Sequence, residues 1–406
     1  MNRKKLLIII TILFVLVVTV LGGGYFYLTS TKPSPDEIVV SGTGSLAELP
    51  EKNFSSSTNN SLIDDTTSIG GKLPKLRHLT TTPVAGYDFV DQTKGFVVWY
   101  VDRATGNVYQ TSTSTAEITR ITNTTIPKVY EAYIGKGGSS VILRTLNDTT
   151  GAIQTFIGTP KAKTGTSTGE NIKELVGVFT SDVISSFTMA PGKNQFFGIT
   201  GNTSGVGNIY SFAAKSTNIF SHPLKKWIPQ WISASNIVMT SAPSAKTLNI
   251  SYLLNPTTKA FTKLIGPKNG LVVSGSSDAT HFLYSENSGD RLAFGIYDAK
   301  KGVDISFSDA TIPDKCVWSK KTPSTAYCGF PKSIPSGIFP DDWYQGKTFF
   351  ADAIRSINTD TLRTETLSDL LGSNEQIDAT NLMLSNDERY LLFTNKRDLT
   401  LWMLEL

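Results

Sequence analysis

The stretch YVDRATGNVYQTSTSTAEITRIT, Tyr100–Thr122, decides the fold. An apolar strand ends at the acidic Asp102, a turn carries Gly106, an alternating strand follows at Val108-Tyr109, and a polar strand closes the unit at Arg120-Ile121-Thr122. Period-two alternation between turn residues is the mark of antiparallel hairpins. The same texture extends outward in both directions. GFVVWYVD precedes it; SVILRTL, QFFGIT, NIYSFAA, LNISYLL, HFLYSEN, RLAFGIYD, YLLFTNK and LTLWMLEL follow, each bounded by Gly, Asn, Asp or Pro. No amphipathic helix longer than two turns interrupts them; Thr366–Leu371 comes nearest.

The hairpins repeat. Seven units run from Val84 to Leu406, with ends near Thr125, Thr180, Lys226, Gly266, Pro313, Gly372 and Leu406. The mean spacing of about 46 residues is that of four-stranded propeller blades. The seventh unit shows three strands, NLMLSN, RYLLFTN and LTLWMLEL. KLRHLT, from Lys75 to Thr80, matches the outer-strand element ITRIT. The expectation is an all-β propeller of seven four-stranded blades over residues 73–406, with the segment 73–80 closing the last blade. Closure of this kind removes open sheet edges.

Asp102, Gly106, Val108-Tyr109 and Arg120-Ile121-Thr122 carry a resemblance to the TolB-type, WD40-like propeller repeat. It is clear in the first and last units and degenerate between them, where Ala190-Pro191-Gly192-Lys193 stands for the usual S-P-D-G turn. The resemblance implies an extracytoplasmic binding scaffold. In the related propellers of prolyl-peptidase enzymes the ring gates a separate hydrolase domain, and no such domain is expected here.

Upstream of the ring the sequence changes character. Leu6–Leu28 is 23 uncharged, mostly apolar residues after Arg3, Lys4 and Lys5. That length crosses about 30 Å of hydrocarbon as a helix. The positive flank places residues 1–5 in the cytoplasm and the remainder outside. A cleaved signal peptide is the other reading of this run. Residues 29–72 hold three lysines against six acids and are rich in Ser, Thr, Asn, Pro and Gly. They read as a flexible linker.

Formal net charge is +4 over 406 residues, too mild for nucleic-acid binding. Three well-separated histidines and two cysteines provide no metal-ligand spacing, so neither a metal nor a cofactor is expected. Cys316 and Cys328 lie six residues either side of Thr322, within a turn signal at Lys321-Thr322-Pro323. A hairpin there sets them opposite one another, and outside the cytoplasm they should form a disulfide. The irregular segment 330–350 then presents Asp341, Asp342, Trp343 and Tyr344 together, the candidate binding loop. No Ser-His-Asp set and no spaced carboxylate pair is assignable.

The inner strands read as GYDFV, YEAYI, SSFTM, PQWIS, VVSGS, KCVWS and NLMLS, with Asp88 and Glu131 as the main charged exceptions. These features point to a non-catalytic binding or scaffold protein tethered to the membrane, with a protein or an envelope polymer as partner. The alternative is a glycan-acting propeller hydrolase or lyase using carboxylates around the central channel. A purely structural envelope protein is a third possibility.

Overall fold

The computed structural model describes residues 73–92, 95–162, 172–213, 215–370 and 376–406. The expected anchor at 6–28 and linker at 29–72 lie outside these residues. Among the described residues no helix is long and apolar enough to cross a membrane.

Among the described residues, twenty-eight strands form seven four-stranded antiparallel sheets. The seven innermost strands are β2 (Val84–Gln92), β6 (Val129–Ile134), β10 (Ser186–Met189), β14 (Trp227–Ser233), β18 (Val272–Gly275), β22 (Cys316–Trp318) and β26 (Ala379–Leu384). Six blades are simple meanders, each strand pairing with the next in sequence. The seventh is ordered β1-β28-β27-β26, so that β1 (Leu76–His78) lies against β28 (Leu401–Glu405), which pairs in turn with β27 (Tyr390–Asn395).

Seven apolar clusters fill the seams between adjacent blades. Between blades 1 and 2, Trp99, Val101 and Val108 meet Val129, Leu143 and Phe156. Between blades 7 and 1, Leu401 and Met403 meet Tyr87, Val98 and Tyr100. Fully burying a side chain of this size stabilises by about 1.5–3 kcal/mol, so most of the apolar residues that alternate along these strands hold the ring together.

Three turns between first and second strands share one geometry. Lys193, Ala279 and Glu388 each donate a backbone N–H to the carbonyl three residues earlier. Each also takes a left-handed φ, of 52°, 57° and 56°. This is the place of Gly in an S-P-D-G turn. All such turns lie at one end of the ring, termed here the mouth face. The chain enters the ring at the same face, where Glu405 donates its N–H to the Lys75 carbonyl at 2.8 Å and Leu406 to that of Arg389 at 2.8 Å.

A candidate ligand pocket at the mouth of the ring

All seven blades contribute to one cavity of about 540 Å³ at the mouth face. Short β22 apart, its lining comes from the later halves of the inner strands and the turns that follow them. Its apolar lining includes Phe89, Met189, Trp231, Trp318, Leu382 and Met383, beside the polar Gln230, Ser277 and Asn386. The two indoles spend their N–H groups inside the ring. Trp231 donates to the Ser233 carbonyl at 2.9 Å and Trp318 to the Ser274 hydroxyl at 3.2 Å. What they offer the cavity is ring surface.

The rim is charged. Lys193, from the blade 3 turn, reaches across to pair with Asp88 of blade 1. Asp88 is 4% exposed. Burial pushes its carboxyl above the ordinary range, against the pull of the Lys193 ammonium. Asp91 accepts from the Asn386 amide at 3.1 Å. Glu388 accepts from the Ser319 hydroxyl at 2.8 Å and from the N–H groups of Lys320 and Lys321 at 2.9 and 3.0 Å. These ties fix blades 1, 3, 6 and 7 around the opening. Lys136 and Lys320 are exposed beside it.

Cys316 and Cys328 are directly opposed on β22 and β23 (Thr325–Pro331), with Cα atoms 4.1 Å apart, and form a disulfide. Cys316 reaches the pocket wall. The other sequence-selected residues lie elsewhere. Asp341–Tyr344 forms a one-turn helix, α1, in the connection between β23 and β24 (Asp352–Asn358). That connection joins the second and third strands of blade 6 and so lies on the face opposite the mouth. Trp343 is 2% exposed and donates its indole N–H to Asp378 at 3.0 Å. Asp341 accepts from the Ala245 N–H at 2.6 Å, Asp342 from that of Ile338 at 2.8 Å, and the Tyr344 hydroxyl bonds Asp314 at 2.6 Å. Each of the four side chains thus has a partner within the fold.

Glu131 does not line the mouth. It pairs with Arg144 and accepts from Tyr133, while Arg144 donates to the Ile184 carbonyl at 2.6 Å, clamping blade 2 to blade 3. Among the described residues no group of three or more His, Cys, Asp or Glu side chains is placed to hold a metal ion.

The strands form a seven-bladed β-propeller with a pocket at one face. No family model matches the chain, and no curated protein is similar to it in sequence. Among solved structures it is similar to the oligogalacturonate lyase of Vibrio parahaemolyticus, with a TM-score of 0.53, 10% identity, and coverage of 81% of this chain and 93% of that one. It is likewise similar to an oligogalacturonate lyase in complex with manganese, with a TM-score of 0.51, 10% identity, and coverage of 80% and 96%. At such identity the likeness is one of fold.

The likeness corrects the expectation that the chain is not an enzyme. That expectation rested on the lack of an assignable catalytic set and on inner strands that carry mainly aromatic, apolar and small residues. These lyases share the fold over most of their length, so the propeller is a fold that enzymes also use.

Proposed function

We propose that the chain is a membrane-tethered propeller, held outside the cytoplasm, that recognises a partner by admitting part of it into the mouth of the ring. The observation that supports this is the pocket: a lining of apolar, polar and charged side chains contributed by all seven blades. A concave site lined by apolar surface with a few polar groups is the usual anatomy of a binding pocket. The 6–28 segment with its basic flank supports the tether, and the Cys316–Cys328 disulfide supports an oxidising compartment. The test is photo-crosslinking in cells, with a benzophenone side chain placed at Lys136 on the mouth face or at Thr149 on the opposite face. A specific adduct is expected from position 136 alone. Adducts of equal yield from both positions, or none from the mouth, would remove the proposal.

One observation favours a second reading, acid–base chemistry on a bound glycan. Asp88 is a buried carboxyl held above its ordinary range at the mouth, the property such chemistry requires of an acid. Incubation with neutral and uronate oligosaccharides, followed by reducing-end release and absorbance of unsaturated products, decides it. Turnover that is lost in Asp88→Asn is the expected sign; a protein inert toward the whole panel ends this reading.

A further inference from the structure

We infer that the face opposite the mouth is a membrane-docking surface, which lays exposed apolar side chains and lysines against a bilayer that carries anionic lipid. This rests on the tethered reading above and adds the side on which the ring lies. Three segments build the surface. Residues 222–228 lead into β14, residues 242–248 join β15 (Asn236–Ser241) to β16 (Leu248–Leu254), and the insertion 330–350 joins β23 to β24. Strand direction alternates within each blade, so all three lie at the end of the ring away from the mouth. They adjoin one another. Ala242 donates its N–H to the Lys226 carbonyl at 3.2 Å, and Ala245 donates its N–H to Asp341 at 2.6 Å.

Leu224, Ile228, Leu248, Ile334, Ile338 and Tyr344 stand on these segments, between 38% and 64% exposed. Apolar surface gathered on one face of a folded ring marks an interaction site. The insertion that carries three of them is pinned to the blades, with Phe339, Trp343 and Phe350 buried against Val272 and Ile312. The exposed side chains are those the fold leaves over, presented on a fixed base.

The charge among them is positive. The three segments hold Lys225, Lys226, Lys246, Lys332 and Lys347 against Asp341 and Asp342. Both aspartates and the neighbouring Asp314 are bonded within the fold, to the Ala245 N–H, the Ile338 N–H and the Tyr344 hydroxyl. Lys347 lies 3.5 Å from Asp342. The other four lysines are exposed, and no ion pair among the described residues engages them. Apolar side chains interspersed with lysines are the composition of surfaces that lie in a bilayer interface, and anionic headgroups complete the charge. A flexible linker over residues 29–72 has a root-mean-square span of about 35 Å. That exceeds the height of a blade, about 17–20 Å for a strand of ordinary length, so the linker passes the side of the ring and meets β1 at the mouth face. A ring so tethered stays near the bilayer, and weak contacts suffice to orient it. The mouth then opens away from the membrane, toward the partner.

The test uses the full-length protein in vesicles, with a bimane label on Leu248→Cys or, at the mouth, on Lys136→Cys, and a doxyl quencher on the lipid chains. In vesicles of phosphatidylglycerol and phosphatidylcholine, quenching is expected at 248 and not at 136. In phosphatidylcholine alone the quenching at 248 should fall steeply. A lysine beside an anionic bilayer raises partitioning about fivefold, so Lys225→Gln with Lys226→Gln should lower the ratio of docked to free ring about 25-fold. No quenching at 248, equal quenching at both positions, or quenching at 248 that ignores lipid charge and the two lysines overturns the inference and leaves the tether standing. A blue shift at 248 without quenching would place protein, such as a second copy of the ring, on this face and also overturns it. A protein that fails to float with the vesicles removes the tether itself, and the docking surface with it.

Discussion

Lys315→Ala is expected to destabilise the ring by about 3–5 kcal/mol, the cost of stripping one partner from a buried ion pair. Lys315 is fully buried, and its ammonium bridges Asp352 at 2.7 Å and Asp378, both of them fully buried as well. Asp378 accepts in turn from the Trp343 indole and the Phe350 N–H, each at 3.0 Å, and Asp352 from the Ala379 N–H at 2.7 Å. One cation therefore joins blade 6, blade 7 and the insertion that carries α1. Without it, two carboxylates share an apolar site beneath Trp343 and Phe350.

The loss should depend on pH in a defined direction. Burial, offset in part by Lys315 and reinforced by Asp378, pushes Asp352 up to about 6. The folded protein thus holds this proton more tightly than the unfolded chain, whose aspartates titrate near about 3.9. The contribution of this group favours the fold at low pH and is lost as pH rises from about 4 toward about 6. Removing the ammonium raises this carboxyl further. Lys315→Ala should therefore be least harmful in acid and most harmful in mildly alkaline buffer, as read by urea unfolding across pH. The triple variant Lys315→Met, Asp352→Asn, Asp378→Asn should be far less damaged than Lys315→Ala, because no uncompensated charge remains. Equal damage in both, or damage independent of pH, would show that packing of the lysine stem rather than its charge holds the insertion.

The ring was legible because its determinants are local. Each strand announces itself by alternation, and the turns at Ala190–Lys193, Ser276–Ala279 and Ser385–Glu388 use one geometry that recurs every second or so blade. The inner strands read from the sequence coincide with β2, β6, β10, β14, β18, β22 and β26. Cys316 and Cys328 were legible for the same reason, since a hairpin turn midway between them fixes their register. The mouth was not. It is assembled from a few residues per blade, and no contiguous segment carries its signature; Lys193 and Asp88 are 105 residues apart. The Lys315–Asp352–Asp378 triad is equally scattered. The insertion at 330–350 stood out as irregular, yet whether Trp343 faces solvent or interior was decided by an acceptor in the next blade, Asp378. Patterns of exposed aromatic residues within a loop carry no information about such partners.

Truncation that removes residues 1–80 is expected to open the ring, with the largest loss of all. β1 contributes the ladder Leu76↔Leu404, Arg77↔Met403 and His78↔Trp402. Around it, Leu79 donates its N–H to the Leu401 carbonyl at 2.8 Å, and the Thr80 hydroxyl accepts from Leu401 N–H at 3.0 Å. The His78 ring stacks on Trp402 with centroids 4.1 Å apart, and Arg77 binds the Thr113 and Thr115 carbonyls of blade 1 at 2.8 and 2.7 Å. Leu79 is 5% exposed in the seam between blades 7 and 1; its replacement by alanine alone should cost about 2–5 kcal/mol. Removing the whole strand also bares the edge of β28, LWMLE, an apolar strand with every reason to pair with another molecule. The truncated protein should therefore unfold at lower denaturant and associate as concentration rises, by light scattering and sedimentation. A synthetic peptide spanning residues 73–83 should restore the monomer by taking the vacant edge. A truncated chain that stays monomeric with an unchanged unfolding midpoint would mean that three strands suffice for the last blade, and that the seams between blades, rather than the β1–β28 ladder, keep the circle closed.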